Sequence, residues 1–252
     1  MSQRTVRIHI RTITTNQPHP NARSPVIQFQ IPASAAGNSI RTAFIQIAND
    51  VIGMFISIGP GMPRILVWTW MDGSLLIVST RPSTLHPELT LEQDHHNDDL
   101  PLDTWDFSFL SPRAYILTSS ADQGSIHIFT FESPAPSSST HIVTLLLPEL
   151  EDHVIVQYLT THTGPFQARC PPNKPFTTSP KSRIHVMSIQ YDSIDHHAHP
   201  SYCFFIHNHA LLEYISTYSF RNEYDMFTIP WENWGPRNTR FLARQVPFHW
   251  LR

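Results

Sequence analysis

Proline sets the scale of what this chain can build: twenty-two of its 252 residues are Pro, spread along the length, against eight Gly. Each Pro lacks a backbone N–H and clashes with the preceding turn of a helix, so long helices are excluded. Short strands joined by Pro-bearing turns suit the chain better. Its length accommodates one large β domain or two small ones. Charged residues make up only 15%, below the roughly 25% usual in soluble domains. With 40% hydrophobic residues, the chain has enough apolar mass to order itself.

The apolar runs carry strand periodicity. Val6, Ile8 and Ile10 alternate with Arg7, His9 and Arg11, and VIQFQI (26–31) puts Ile27, Phe29 and Ile31 on one face. AFIQI (43–47) and VIGMFISI (51–58) follow. RILVWTW (64–70) and SLLIVST (74–80) flank Met71-Asp72-Gly73, and Asp-Gly between apolar runs is a hairpin signal. FSFL (107–110), AYILTSS (114–120), SIHIFTF (125–131) and HIVTLLL (141–147) come next. RIHVMSIQY (183–191), YCFFIHN (202–208) and ALLEYIS (210–216) read as later strands. No segment beyond about ten residues sustains a 3.6-residue period. The expected class is all-β.

Three stretches read as loops. Residues 81–103 form an acidic insertion, 132–140 a Ser/Pro connection, and 164–182 a Pro-rich segment. All are too poor in apolar side chains to offset the entropy of ordering. Residues 1–40 read as N-terminal strands, partly irregular, of a single domain spanning 1–252.

Self-similarity narrows the architecture. DFSFLSPRAYILTSSADQGSIHIFTF (106–131) follows the order of a WD-type blade: a strand ending in Phe-x-Ser-Pro, a strand with small residues, then Asp-x-Gly into an alternating third strand. Asp122 and Gly124 suit a tight reversal. The third-strand form also occurs as RILVWTWMDGSLLIV and SPKSRIHVMSIQY. Ile65 and Ile126 lie 61 residues apart, and Ile126 and Ile184 lie 58 apart. Discounting inserted loops, these intervals approach the roughly 40 residues of a four-stranded propeller blade. The expectation is a partial or irregular WD-like β-propeller of about four to five blades. A β-sandwich is the alternative. A propeller requires Ile65, Ile126 and Ile184 to occupy equivalent strands of successive sheets.

Several stretches in series resemble the C-terminal region of basidiomycete F-box proteins. They are PRILVWTWMDGSLLI, WDFSFLSPRAYILTSS with GSIHIFTF, HIVTLLLPEL, and HTGPFQARCPPNKPFTTSPKSRIHVMSI. FFIHNHALLEY, IPWENWGPRNTRFL and VPFHWLR complete the series over residues 40–252, and Trp231-Glu232-x-Trp234-Gly235-Pro236 with Thr239-Arg240 is the most specific element. The resemblance implies a substrate-receptor region of a ubiquitin-ligase component. Residues 1–45 do not read as the helical F-box, so a Skp-type adaptor would be engaged only through an F-box outside this chain. The abrupt end at Trp250-Leu251-Arg252 fits a truncated gene product.

Charge and motif content restrict the chemistry. A net charge of −3 gives no general affinity for nucleic acid or anionic membrane. Cys170 and Cys203 are the two cysteines, too few for a disulfide framework, which fits a reducing cytoplasmic or nuclear setting. The start lacks a secretory h-region. Its acid-free, Arg-bearing first 49 residues echo a mitochondrial presequence, but their alternation is that of a strand. Nucleophile elbows, phosphate loops and dinucleotide fingerprints do not occur, and no cofactor is expected. Asp195-His196-His197-Ala198-His199, His95-His96, and His207 with His209 raise a metal-assisted hydrolase as an alternative. Without His-Glu-x-x-His or Cys-x-x-Cys spacing they read as surface histidines.

Trp231, Trp234, Arg237 and Arg240 are the candidate protein-binding residues, as indole and guanidinium groups dominate interaction hot spots. The competing reading makes Trp231, Trp234, Trp250, Phe241 and Phe248 a staple for the last strands, with Arg stacked on Trp. The expected function is a non-enzymatic module binding a protein partner. A decayed, non-functional F-box fragment is a further alternative.

Overall fold

A computed structural model describes residues 4–31, 40–58, 63–80, 98–132, 139–164, 166, 179, 182–193, 200–219 and 227–243. They form a two-stranded ribbon, three larger sheets counted first to third along the chain, none closed, and two short helices. The all-β expectation holds. The chain divides into two compact units, residues 1–100 with 131–139, and 101–130 with 140–252.

In the first unit, β1 (Arg4–His9) and β2 (Val26–Ile31) pair antiparallel, Arg4 opposite Ile31. β3 (Ile40–Ala48), β4 (Val51–Ile58), β5 (Pro63–Thr69) and β6 (Leu75–Thr80) form an antiparallel meander, and β7 (Asp98–Asp99) adds parallel to β6. Alternation decides its faces: Ile52, Met54, Ile56, Leu66 and Trp68 share a core with Ile27, against which Val6, Ile8 and Phe29 pack. The predicted hairpin closes as expected, with Gly73 at φ 79°, and its N–H donates to the Thr69 carbonyl at 3.0 Å. The Asp72 carboxylate accepts from the Thr69 hydroxyl and, at 2.9 Å, from the Ser74 N–H.

In the second unit, β8 (Thr104–Ser111), β9 (Ala114–Ser119), β10 (Ser125–Phe131) and β11 (Ser139–Leu146) form a second meander. Pro112-Arg113 makes the two-residue loop between Ser111 and Ala114, and Asp122 and Gly124 take φ 53° and 86° before β10. Both reversals thus fall where Pro112 and the Asp-x-Gly of residues 122–124 place them. β12 (Val154–Thr163), β13 (Ile184–Ser193) and β14 (Ser201–His207) start a third sheet. Helix α1 (Asn208–Tyr218) follows, then β15 (Thr228–Ile229), which lies parallel to β11. Helix α2 (Trp231–Asn238) leads into β16 (Thr239–Ala243), the fourth strand of the third sheet.

The second and third sheets share one core: Ile116, Ile126, Ile128 and Val143 pack with Leu159, Met187, Ile189, Phe204 and Ile206. Polar links cross between them. Thr118 donates to the Leu159 carbonyl at 2.6 Å, and the Thr161 N–H donates to Asp106 Oδ2 at 2.7 Å. Asn208 Nδ2 donates to the Leu110 carbonyl at 3.0 Å.

Two expectations are corrected. ALLEYIS is helical, not a strand, and α1 runs for 11 residues. Leu211, Tyr214, Ile215 and Tyr218 lie at helical spacing and pack on the core, so burial of that stripe selects the helix. The repeat register also fails at its third member. Ile65 and Ile126 lie on the third strands of their meanders, β5 and β10, whereas Ile184 opens β13, the second strand of its sheet. β12, whose VIVQYLTTHT was not read as a strand, occupies the first place. Ile65 and Ile126 are fully buried, and Ile184 is 43% exposed.

Candidate functional site

Trp231 to Asn238 is a short helix whose charges and C-terminal side-chain bonds favour its ends. Pro230 precedes it in an extended conformation, and Glu232 in the first turn and Arg237 in the last complement the helix dipole. At the C-terminal end, Asn238 Nδ2 donates to the Trp234 carbonyl at 2.8 Å. The Thr239 hydroxyl donates to the Gly235 carbonyl at 2.7 Å, which also accepts the Thr239 N–H, so the last turn is tied twice to that oxygen.

The four candidate residues separate by environment. Trp234 is fully buried, and its Nε1–H donates to the Leu146 carbonyl at 2.7 Å, pinning α2 to the end of β11. Trp231 is half-buried, edge-on to Trp234 at 5.0 Å and to Phe241 at 5.4 Å. Phe241 in turn stacks on Phe204 at 4.8 Å. Gly235 lets the indole close: a Cβ there would sit 2.3 Å from Trp231 ring atoms. The two Trp are thus the staple of the competing reading. The expected Arg-on-Trp stacking is not seen; among the described residues the cation–π pair is Arg183 over Phe166, at 5.0 Å. Arg237 and Arg240 are exposed. Phe248 and Trp250 lie outside the described residues.

Sheet register brings other residues to the two arginines. Ile184 pairs with His207, and Phe205 pairs with Arg240. These four, with His209 and Arg237, line a cleft of about 180 Å³ beside the start of α1. His207 ends β14 and His209 lies in α1, so they do not share a strand face as expected, yet their rings approach to 5.3 Å. Arg240 Nη1 donates to the Thr239 carbonyl at 2.7 Å. A second, more open cleft of about 480 Å³ is bordered by Asp122, Glu149, Glu151, Asp152 and His153.

Asp195–His199, His95-His96 and Cys170 lie outside the described residues. Among the described residues, no group of three or more His, Cys, Asp or Glu is arranged to hold a metal ion.

Three buried polar groups escaped sequence reasoning. Ser125 Oγ lies 2.9 Å from His127 Nε2, and Thr144 Oγ1 lies 3.0 Å from His127 Nδ1 and 3.1 Å from His141 Nε2. Burial, and secondarily the charge of His141, pushes His127 down to about 3. Through Thr144 the chain of bonds ties β10 to β11. Asp106 is the second: burial raises it to about 7, against the opposing N–H bonds of Thr161 and Phe107. The third is His185, lowered to about 4 chiefly by burial; its Nε2–H donates to Asn208 Oδ1 at 2.9 Å. The sequence signal for these is a polar residue within an apolar strand run, as with His127, which shares a face with Phe129 in β10.

The chain matches no protein-family model and no curated protein. Among the described residues, no helix is long and apolar enough to cross a membrane.

Proposed function

We propose that this chain is a non-enzymatic protein-interaction module, the substrate-receptor region of an F-box-type protein of the basidiomycete kind, acting inside the cell. One observation carries the reading. Three antiparallel meanders of four strands follow one another: β3–β6, β8–β11, and β12–β14 completed by β16. With the propeller register lost at Ile184, the reading rests on the sheets alone: packed antiparallel sheets leave loops and strand ends free to meet protein partners. Exposed Phe241 and Leu242 on β16, beside Arg240, supply the mixed apolar and cationic surface that interaction sites use.

The test is cross-linking mass spectrometry on the purified chain incubated with fungal extract. The reading expects a reproducible protein partner with cross-links converging on one face of the second unit. Recovery of no partner, with or without an added F-box segment, would overturn it. Stoichiometric zinc or iron in the purified protein would instead favour the metal-assisted hydrolase.

A further inference from the structure

Four cationic or basic side chains line one cleft, and among the described residues no carboxylate lines it with them. The cleft between the end of β14, the start of α1 and the α2–β16 junction is lined by His207, His209, Arg237 and Arg240, with Ile184 and Phe205 as its apolar wall. None of its lining residues is acidic. In a chain of net charge −3, that is a local reversal of sign, and it is concave. Helix α1 adds to it: His207 makes no side-chain cap bond, and no acidic residue stands in the first turn. The Asn208 N–H is taken by the Arg183 carbonyl at 2.7 Å, and the next two residues, His209 and Ala210, both border the cleft.

Size narrows the ligand. About 180 Å³ is below the roughly 300–1,000 Å³ of sites that enclose drug-sized molecules. It suits one tetrahedral oxyanion and the atoms attached to it. Guanidinium groups match such an anion by fork geometry. Arg240 is held in place by its bond to Thr239, and exposed Arg237 stands one helix end away.

We propose that this cleft binds a phosphate-type oxyanion, held by Arg237 and Arg240 with the imidazoles of His207 and His209. The oxyanion is either free phosphate or the phosphoryl group of a modified side chain packed against Ile184 and Phe205. The binding does not depend on the receptor reading above.

The full chain, labelled with nitrogen-15, is titrated by NMR with inorganic phosphate, with a short phosphoserine peptide, and with the same peptide unphosphorylated. Saturable shifts of the His209, Ala210, Thr239 and Arg240 amides are expected with the first two and not the third. Arg237→Gln with Arg240→Gln weakens binding by about tenfold or more, as loss of charged hydrogen bonds implies, while the unfolding midpoint stays unchanged. If the double variant does not fold, Arg237→Gln alone, at an exposed position, gives the same reading with a smaller loss. A phosphoserine peptide about tenfold tighter than inorganic phosphate identifies a modified side chain as the ligand; equal affinities identify the free anion. No saturable shift at these amides at roughly 10 mM of either probe, or shifts unaltered by the substitutions, overturns the proposal.

Discussion

The two sheets of the second unit share a core but are built by different rules. In the β8–β11 sheet, every residue of β9 is buried, and Phe107, Tyr115 and Phe129 stack on one face while Ile116, Ile126 and Ile128 fill the other. In the third sheet, β12 buries Val156, Leu159 and Thr161 but exposes Ile155, and two helices interrupt the path from β14 to β16. A sheet covered on both faces must be apolar throughout, so its strands read as continuous hydrophobic runs. A sheet covered on one face keeps polar residues among its apolar ones, and its strands are harder to see. That is why AYILTS was legible and VIVQYLTTHT was not.

The comparison can be broken by mutation. The largest loss is expected at the junction of the two sheets. Trp234→Ala should cost about 3–5 kcal/mol in chemical denaturation, the cost of an emptied aromatic site. A loss below about 1 kcal/mol would mean that α2 is not fastened to the core. Ile116→Ala, in the doubly covered sheet, should cost about 2–5 kcal/mol.

Asn208→Ala should follow at about 2–3 kcal/mol, because it strips partners from buried His185 and from the Leu110 carbonyl. A near-neutral result would show that the sheets are joined by apolar packing alone.

The buried ionisable groups give opposing pH dependences. Asp106 binds its proton more tightly folded (about 7) than at the ordinary carboxyl value of 3.8, so its contribution falls as pH rises between those values. His127 (about 3) and His185 (about 4) resist protonation when folded, against the ordinary imidazole value of 6.5. Their contribution is present above 6.5 and lost as pH falls toward 4 and 3. Two histidines oppose one carboxyl, so net stability should fall on acidification from pH 6.5 to 4. Asp106→Asn should steepen that fall, as measured by denaturation midpoints across pH. A slope unchanged by the substitution would show that Asp106 is not buried in solution.

The smallest effect belongs to the singly covered sheet. Ile155→Ala, at a position 52% exposed, should change stability by no more than about 0.5 kcal/mol. Matching costs at Ile116 and Ile155 would erase the distinction between the sheets.

The site was half legible. WENWGP marked the segment carrying Trp234 and the two arginines, because aromatic and cationic residues at that density rarely lack a role. What each side chain would do was not legible. Trp234 enters the core while Arg237, three residues on, faces solvent, because the helix is fastened by the Trp234 bond to the Leu146 carbonyl and the Trp231 contact with Phe241. His207 and His209 reach the arginines because β14 pairs with β16, a contact across more than thirty positions of sequence.

Local backbone chemistry was therefore written in the residues themselves. Proline excluded long helices, alternating side chains declared strands, and Asp-Gly or Asp-x-Gly placed reversals where Gly73, Asp122 and Gly124 take positive φ. These depend on sterics within a few residues, which any reader of the chain can apply. Tertiary structure alone decided that residues 208–218 coil, that β12 leads its sheet, and that the cleft gathers residues 184, 207 and 240. Those outcomes follow from which apolar stripe is covered and which strands pair. Their free energy comes from burial between distant segments, so no short window of sequence contains it.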